Sequence, residues 1–242
     1  MNTAYYRSEH IEIIHLKNKP VIYSEHNHVS VYTIGLVMDG FVTLKSGEQN
    51  AVFSSNDFFV TQPFQMHALL LPEKYDMLSI CIHKDFVDKY KLNDLYNIVV
   101  DYLSEIYPNV KKQILMKAIE ALYHCEPFNP PDDSIKESAC TIWHNPEYDI
   151  SIQNIADKTH FSKFHFIRRF KENIGMTPHK FQVQNKIRRA QRMIENNESL
   201  TVIAMTLGFF DQSHFIKCFK NIVGITPSEY KQSCKIFNTK PE

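Results

Sequence analysis

The sequence is poor in the patterns that mark phosphate loops, disulfide frameworks, secretion and membranes. Its 242 residues include only six glycines and no glycine-rich run, so a phosphate-cradling loop is not indicated. The five cysteines are scattered without the paired spacing of metal or redox sites, which suits a reducing compartment. No apolar run reaches the length of a membrane span, and Arg7, Glu9 and Glu12 break the apolar character that a signal peptide needs. We therefore predict a cytoplasmic protein with no membrane partner and no cofactor.

The formal net charge of zero hides an uneven division of charge. Residues 1–132 carry 11 lysines and arginines against 16 acidic residues, a net charge of −5. Residues 133–242 carry 16 against 11, a net charge of +5. A basic half beside an acidic half indicates a polyanion partner for one domain only.

The first part of the chain has the pattern of a β-domain. Runs rich in β-branched and aromatic residues are separated by turn signals such as Asp39-Gly40. Many short strands at regular spacing favour a sandwich or barrel. The predicted strands are Ile11–Leu16, Pro20–Tyr23, Val29–Met38, Phe41–Leu44, Ala51–Phe53, Asp57–Thr61, His67–Leu71 and Met77–Ile82.

Three histidines stand at notable places among these strands. His26 and His28 form a His-x-His pair, and His67 follows Pro63 by four residues. This order resembles the cupin barrel, in whose metal-binding members such histidines ligate a metal, usually together with a carboxylate. The usual glutamate shortly after the pair is absent here, where residues 31–33 are Val, Tyr and Thr. The three imidazoles either belong to a polar network at the barrel mouth or hold Zn or Fe with an open position.

Small barrels bind ligands at their mouths. We therefore expect a small-molecule effector there, with His26, His28 and His67 as candidate effector contacts and with no bound metal. The alternative is a cupin-type, metal-dependent enzyme that uses the same three histidines. A regulator controlled by protein partners is a third interpretation.

Helices and a linker are predicted next. Lys84–Leu92 has a short helical pattern, and Val110–Cys125 has apolar residues at spacings of three and four. The apolar face of the second helix either packs on the barrel or forms the seam of a homodimer. The proline-rich stretch Glu126–Asp133 then breaks any helix and is predicted to be the inter-domain linker.

The last hundred residues contain one segment twice. Phe166–Phe181 and Phe215–Tyr230 align at a constant offset of 49 residues, and the residues before each copy align at an offset of 48. One residue is therefore inserted around Phe210. A repeat of this length indicates one supersecondary unit used twice.

Each copy has the pattern of a helix-turn-helix unit. In the first unit, a helix from Ser151 to Thr159 precedes the His160-Phe161 turn and a basic helix over 162–173. In the second unit, Leu200–Leu207 precedes the Gly208-Phe209 turn and a helix over 211–222. Between the units, a helix from Pro178 to about Asn196 is predicted, because proline is favourable in the first helical turn.

These residues closely resemble the AraC/XylS family of bacterial transcription regulators. The resemblance covers about 100 residues, and its most specific part is Ile203-Ala204, Gly208-Phe209, Asp211–Phe215, Phe219-Lys220, Gly224–Pro227 and Tyr230. A cupin-like N-terminal domain is the commonest partner domain in that family. The resemblance implies contact with two successive major grooves of promoter DNA, with an effector and RNA polymerase as further partners, and no enzymatic activity.

The resemblance also assigns residues to DNA contact. It places base-reading side chains early in each second helix, and the lysines of these helices are better candidates for phosphate contact. Ile167 stands where a longer polar side chain is common, and could contact a thymine methyl group instead. The base-reading candidates are Phe164, Ile167, Arg168, Gln212, Ser213 and Lys217, the phosphate candidates are Lys163, Lys171 and Lys220, and His214 completes the set.

The predicted fold class is α+β with two domains. An effector-binding, cupin-like β-barrel is expected over residues 1–92, and a helical connection with the linker over 93–133. An all-α DNA-binding domain is expected over 134–237, with two helix-turn-helix units joined by a long helix. The two units share a scaffold but differ in their candidate base-contacting residues. The DNA target is therefore expected to be asymmetric for each subunit.

Overall fold

The structure is a computed structural model that describes residues 3–125, 132–147 and 151–236. The chain divides into two compact units. Unit 1 comprises Met1–Ile22, Ser30–Phe128 and Ser233–Glu242, and unit 2 comprises Tyr23–Val29 and Asn129–Gln232. No helix in the described ranges is both long and apolar enough to cross a membrane. Most of the predicted linker, 126–131, lies outside the described residues.

Unit 1 is built on a sheet whose strands are antiparallel except for the β1–β9 pair. Its strands follow the order β7-β4-β8-β2-β1-β9, with β5 and β6 also paired to β4. The strand β3 spans Val21–His26, so that its last four residues are counted with unit 2. The other strands are β1 Thr3–Arg7, β2 Ile11–Lys17, β4 Val31–Ser46, β5 Gln49–Ser54, β6 Phe58–Thr61, β7 His67–Leu71, β8 Tyr75–His83 and β9 Cys234–Ile236.

The prediction of two strands separated by an Asp39-Gly40 turn was wrong. The strand β4 runs without interruption through both residues and pairs with β8 on either side of a register shift between Val37 and Asp39. Gly40 has φ +73°, and a Cβ there would lie 2.6 Å from the carbonyl oxygen of Lys74. An Asp-Gly pair supplies the positive φ that a hairpin turn needs, but the same conformation also serves a β-bulge.

Two strands at the ends of the chain were not predicted. Thr3–Arg7 forms β1 and pairs with β2, and Cys234–Ile236 forms β9, which runs parallel to β1. Neither segment is long enough to show a clear alternation of apolar and polar residues. The sheet therefore contains strands from both ends of the described chain.

Three helices cover one face of the sheet in unit 1. They are α1 Lys84–Lys89, α2 Leu92–Ile106 and α3 Lys112–His124. The sequence predicted α1 and α3, but α2 was missed, although its buried residues follow helical spacing. The buried side of α3, formed by Leu115, Ala118, Ile119 and Leu122, belongs to the core that includes the sheet. The interpretation that this helix packs on the barrel is therefore confirmed for that side.

Among the described residues of unit 2, two pairs of a short and a long helix match the predicted units. The first pair is α5 and α6, the second pair is α8 and α9, and α7 joins them. The α+β fold class with a sheet domain and a helical domain is confirmed. The bounds are α4 Asp133–His144, α5 Ile152–Lys158, α6 Lys163–Ile174, α7 Pro178–Glu195, α8 Leu200–Thr206, α9 Gln212–Val223 and α10 Pro227–Ser233.

The turns of the two helix-turn-helix units share one backbone conformation. His160 has φ +57°, and Gly208, its counterpart, has φ +64°. In both turns the next amide donates to an alanine carbonyl of the first helix, from Phe161 to Ala156 at 3.1 Å and from Phe209 to Ala204 at 2.9 Å. A left-handed conformation is strained for histidine and free of strain for glycine, so the first turn is the costlier one.

The segment Tyr23–Val29 is counted with the helices of unit 2, and Asn27 is its anchor. Asn27 is 0% exposed, and its Nδ2 donates to the carbonyl oxygen of Ile174 at 2.8 Å. That carbonyl belongs to the last residue of α6, where no later helical amide can reach it. Gln184 of α7 donates from Nε2 to the carbonyl oxygen of Asn27 at 2.7 Å. Asn27 therefore holds the C-terminal end of α6 against the middle of α7.

The strained turn gives a first prediction. The substitution His160→Gly should raise the free energy of unfolding of unit 2 by ~0.5–1 kcal/mol, because it removes the strain of a side chain at positive φ. Gly208→Ala should lower it by ~1–2 kcal/mol, because the added Cβ would lie 3.3 Å from the carbonyl oxygen of Glu147 at φ +64°. Urea unfolding followed by the fluorescence of Trp143, the single tryptophan, reports on unit 2. Loss of stability in His160→Gly would contradict this account.

The anchor gives a second prediction. Asn27→Ala should lower the free energy of unfolding of unit 2 by ~1–3 kcal/mol, because it leaves the carbonyl of Ile174 buried without its donor. Asn221→Ala is the matched control, since Asn221 is exposed in the last turn of α9. The control should leave stability unchanged or slightly raised, because alanine is the better helix former. The same Trp143 fluorescence measures both variants, and equal effects would disprove the role of Asn27.

Candidate nucleic-acid interface

The helix α6 presents the five residues predicted to contact DNA in the first unit. Lys163, Ile167, Lys171, Phe164 and Arg168 lie, in that angular order, within an arc of roughly 140° at 100° per residue. Phe164 is 84% exposed, and all the others are exposed except the half-buried Ile167. The buried residues of α6, Phe166, Phe170 and Ile174, adjoin the Lys163 edge of this arc. The helix therefore has one solvent face of mixed basic and apolar character.

Glu172 reduces the positive charge of the exposed face of α6. Arg168 Nε lies 3.5 Å from Glu172 Oε1, one helical turn away. Arg169 is directed elsewhere, because its Nη2 bonds the carboxylate of Asp132 and its Nη1 lies 3.7 Å from Glu172. Lys163 and Lys171 thus carry most of the free charge of α6, whereas Arg169 has a structural role.

The helix α9 presents the corresponding face of the second unit. Gln212, Lys220, Ser213 and Lys217 lie within roughly the same 140° arc and are all exposed. His214 is also exposed but points about 60° further round the helix, where its ring lies 5.7 Å from the ring of Phe209. The two faces coincide in geometry but differ in side chains.

Gln212, a candidate base-contacting residue of α9, is held by a residue of α8. The Oγ1 of Thr201 in α8 donates to Oε1 of Gln212 at 2.9 Å. This bond leaves the Nε2 group of Gln212 as the end that can turn toward another acceptor. A side chain that is already oriented loses less rotational freedom when it binds.

Both second helices begin and end alike. The side chain of Ser162 accepts from the amide of His165 at 3.4 Å, and Asp211 accepts from the amide of His214 at 2.7 Å. Gly175 and Gly224 end the two helices in the left-handed conformation with φ +83°. Each helix has 12 residues, and the predicted ranges 162–173 and 211–222 were correct to within one residue at each end.

The basic residues of α7 are largely engaged within unit 2. Lys186 Nζ donates to the carbonyl of Gly208 at 3.3 Å and lies 5.6 Å from the centre of the Phe209 ring. Arg189 Nη1 pairs with Glu147 Oε2 at 2.8 Å. Arg188 donates to Nδ1 of His28. These contacts orient α7 against its neighbours, so the exposed basic groups on α6 and α9 are the better candidates for a polyanion.

The three histidines predicted to contact an effector are divided between the units. His26 and His28 belong to unit 2, and their ring centres are 5.3 Å apart. The guanidinium of Arg188 occupies the Nδ1 lone pair of His28, and Nδ1 of His26 lies 2.8 Å from the carbonyl oxygen of Ser24. His67 belongs to unit 1, is 5% exposed, and has its Nδ1 3.0 Å from the carbonyl of Gln65. Each imidazole thus already has a hydrogen-bond partner at one nitrogen.

Residues 155–233 match the family described as a helix-turn-helix domain. This range runs from the middle of α5 to the end of α10, so it covers the second predicted unit and all of the first unit except the start of its first helix. No curated protein matches the chain in sequence.

Solved structures of ToxT from Vibrio cholerae match both units. For ToxT of strain O395, the identity is 14% and the TM-score 0.63, over 92% of this chain and 96% of that chain. ToxT of strain SCE256 with a bound unsaturated fatty acid has 16% identity and a TM-score of 0.61, over 93% and 97%. The O395 protein bound to (E)-4-(8-methylnaphthalen-1-yl)but-3-enoic acid has 16% identity and a TM-score of 0.63, over 93% and 99%.

At such low identity, the likeness to these structures concerns the fold. Together with the family match, it agrees with the resemblance drawn from the repeated segments of the sequence. Residues 155–233 therefore form a domain of the helix-turn-helix family, and the chain shares its fold with ToxT.

Proposed function

We propose that this protein is a sequence-specific transcription regulator that reads two successive major grooves with α6 and α9. The observation that carries the proposal is the repetition of one exposed face on two capped helices of equal length. A single basic helix is more often a solvated surface. Two such faces, each at the second helix of a helix-turn-helix unit, favour DNA as the shared partner.

The side chains on the two faces divide into two roles. Arg168 and Lys217 are long enough to donate to base edges, and Gln212 offers an amide that can read adenine. Phe164 and Ile167 supply apolar contact for a thymine methyl group. Ser213 and His214 add donors beside Gln212. The phosphate contacts fall to Lys163, Lys171 and Lys220, which position the helices without specifying sequence.

The length of α7 suits this use. It has 18 residues, so it spans about 27 Å at ~1.5 Å per residue. Adjacent turns of the major groove are about 34 Å apart. A rigid helix of this length keeps the two pairs at a separation of the same order, which supports simultaneous contact on one side of the duplex.

A small-molecule effector is the second part of the proposal. ToxT structures contain an unsaturated fatty acid in one case and a naphthalenyl butenoic acid in another. Both ligands are small molecules with an apolar body, and they support an effector for a chain of the same fold. A homodimer, contact with RNA polymerase and a cytoplasmic location stay predictions. A regulator fits the repeated DNA-facing helices better than the cupin-type enzyme does.

Base and phosphate contacts respond differently to mutation, which gives a third prediction. After selection of a target from random duplexes, Arg168→Ala and Lys217→Ala should each weaken specific binding by ~1–3 kcal/mol and relax preference in one half-site only. Lys171→Ala should weaken binding equally on all sequences and reduce the salt slope by about 1. The exposed Lys136 of α4 provides a control, and Lys136→Ala should bind as the parent does. Gel shifts over a salt series measure all four, and unchanged binding of the first two would refute the assignment.

The candidate base-contacting residues of α6 differ from those of α9, which gives a fourth prediction. Because Phe164 and Arg168 differ from Ser213 and Lys217, the two half-sites should differ and have a fixed order. Exchanging the half-sites in a selected duplex should reduce affinity by at least about tenfold, since each mismatched base pair costs ~1–3 kcal/mol. A duplex with the whole site inverted keeps the order and should bind unchanged. Equal affinity for the exchanged site would mean that the helices are not placed in two grooves as proposed.

A further inference from the structure

Phe210 is the residue by which the turn of the second helix-turn-helix unit is longer than the turn of the first. In the first turn, Ser162 follows Phe161 directly and caps α6. In the second turn, Phe210 stands between Phe209 and Asp211, and Asp211 caps α9. The two capped helices have 12 residues each. The insertion therefore adds one side chain just before α9, and the helix keeps its length.

The fold does not use the added side chain. Phe210 is 92% exposed, whereas its neighbour Phe209 is 9% exposed. The ring of Phe209 lies 5.3 Å from the ring of Phe215, so the aromatic contact between this turn and the core is made without Phe210. A ring that stays in water forgoes the free energy that its burial would supply. Single exposed hydrophobic residues are nevertheless common on protein surfaces, so the position of Phe210 decides what its exposure means.

The position of Phe210 corresponds to that of Phe164 in the first unit. Among the exposed large hydrophobic residues that the structure describes, these two are the most exposed, at 92% and 84%. Phe164 is the second residue of α6, and Phe210 lies two residues before the first residue of α9. Both rings thus stand within one turn of the N-terminal end of their helix. Each unit presents one exposed phenylalanine at the end of the helix that is proposed to enter the groove.

The helix α9 offers no exposed apolar side chain of its own at this end. Its first three residues, Gln212, Ser213 and His214, are polar and exposed. Consecutive Cα atoms are ~3.8 Å apart, so the Cα of Phe210 lies at most ~7.6 Å from that of Gln212. Phe210 can therefore supply to the second unit the apolar contact that Phe164 supplies to the first.

The chemistry of the turn favours a base edge over a phosphate group. Residues 208–211 include no lysine or arginine, and the carboxylate of Asp211 accepts from the amide of His214 at 2.7 Å. A carboxylate repels a phosphate, and a phenyl ring has no N–H or O–H to donate to one. In the major groove, the apolar group on a base edge is the 5-methyl group of thymine.

On the basis of the proposed function, we infer that Phe210 contacts the methyl group of a thymine in the half-site bound by α9. The ring is already exposed at the N-terminal end of α9, so the contact needs no rearrangement of the helix. Phe210 thereby adds an apolar specificity determinant to a half-site that is otherwise contacted by polar side chains. The two units then each recognise a thymine, through Phe164 in one half-site and Phe210 in the other.

Deletion of single methyl groups from the DNA tests the contact. Every thymine of the duplex selected by the full-length parent is replaced in turn by deoxyuridine, and the affinity is measured by gel shift. One replacement in the α9 half-site should weaken binding by the parent about threefold to fivefold, because one methyl-sized group is left unburied. Phe210→Ser should bind the thymine and deoxyuridine forms equally. Phe210→Leu, which keeps an apolar side chain, should retain most of the difference.

Two further variants locate the effect. Phe164→Ser should abolish the methyl dependence at a different thymine, about one helical turn or ~10 base pairs away. Met205→Ser is the matched control, because Met205 is 75% exposed but lies on α8, the first helix of the unit, which crosses the DNA backbone. It should keep the methyl dependence of the parent. The urea unfolding midpoint of Phe210→Ser should equal that of the parent, since the ring is 92% exposed.

Three results would overturn the inference. The first is a full thymine preference in Phe210→Ser at every position, which would leave the ring for a protein partner. The second is a selected duplex in which no thymine methyl group affects the affinity of the parent. The third is the same loss of methyl dependence in Met205→Ser, which would assign the effect to the apolar surface as a whole.

These outcomes are distinct from a failure of the proposed function. If the parent binds no duplex in the selection, the proposed regulator function is wrong. If the parent selects and binds a duplex but no methyl group depends on Phe210, only the role of Phe210 is wrong.

Discussion

Three aromatic rings in contact hold each of the helices α6 and α9 in place. In the first unit, the ring centres of Phe166 and Phe170 are 5.6 Å apart, and Phe170 lies 5.6 Å from Phe181 of the next helix. In the second unit, Phe215, Phe219 and Tyr230 repeat the arrangement at 5.8 and 5.6 Å. All six residues are 0% exposed. A short helix with a polar outer face is unstable in isolation, so the outward faces of α6 and α9 depend on these buried rings.

Local chemistry made the helical unit predictable from sequence. Ser162 and Asp211 cap helices through their own side chains, and Gly175 and Gly224 end them, so each signal lies within a few residues of what it determines. The repeat then showed each capping residue and each terminal glycine a second time, at the matching position. The sheet depends on register, which joins residues far apart in the chain. The register shift of β4 between Val37 and Asp39 could not be derived from local pattern for that reason.

Charge was the least reliable guide to the candidate site. The second half of the sequence has a net charge of +5. Three of its arginines, however, bond groups within the fold: Arg169 bonds Asp132, Arg188 bonds His28, and Arg189 bonds Glu147. Their sequence context does not distinguish them from Arg168, which stays 73% exposed beside Glu172. Only packing decides which guanidinium groups face solvent. Composition therefore identifies a basic half, and the fold selects the two helix faces within it.

Asn27 attaches the segment that precedes β4 to the end of α6. Asn27 donates to the last carbonyl of α6, and β4 begins four residues later at Val31. A ligand of the sheet unit can act on α6 only if it binds two arrangements of this segment with different affinities. Since β4 begins at Val31, four residues after Asn27, a displacement of β4 has a short covalent route to the end of α6.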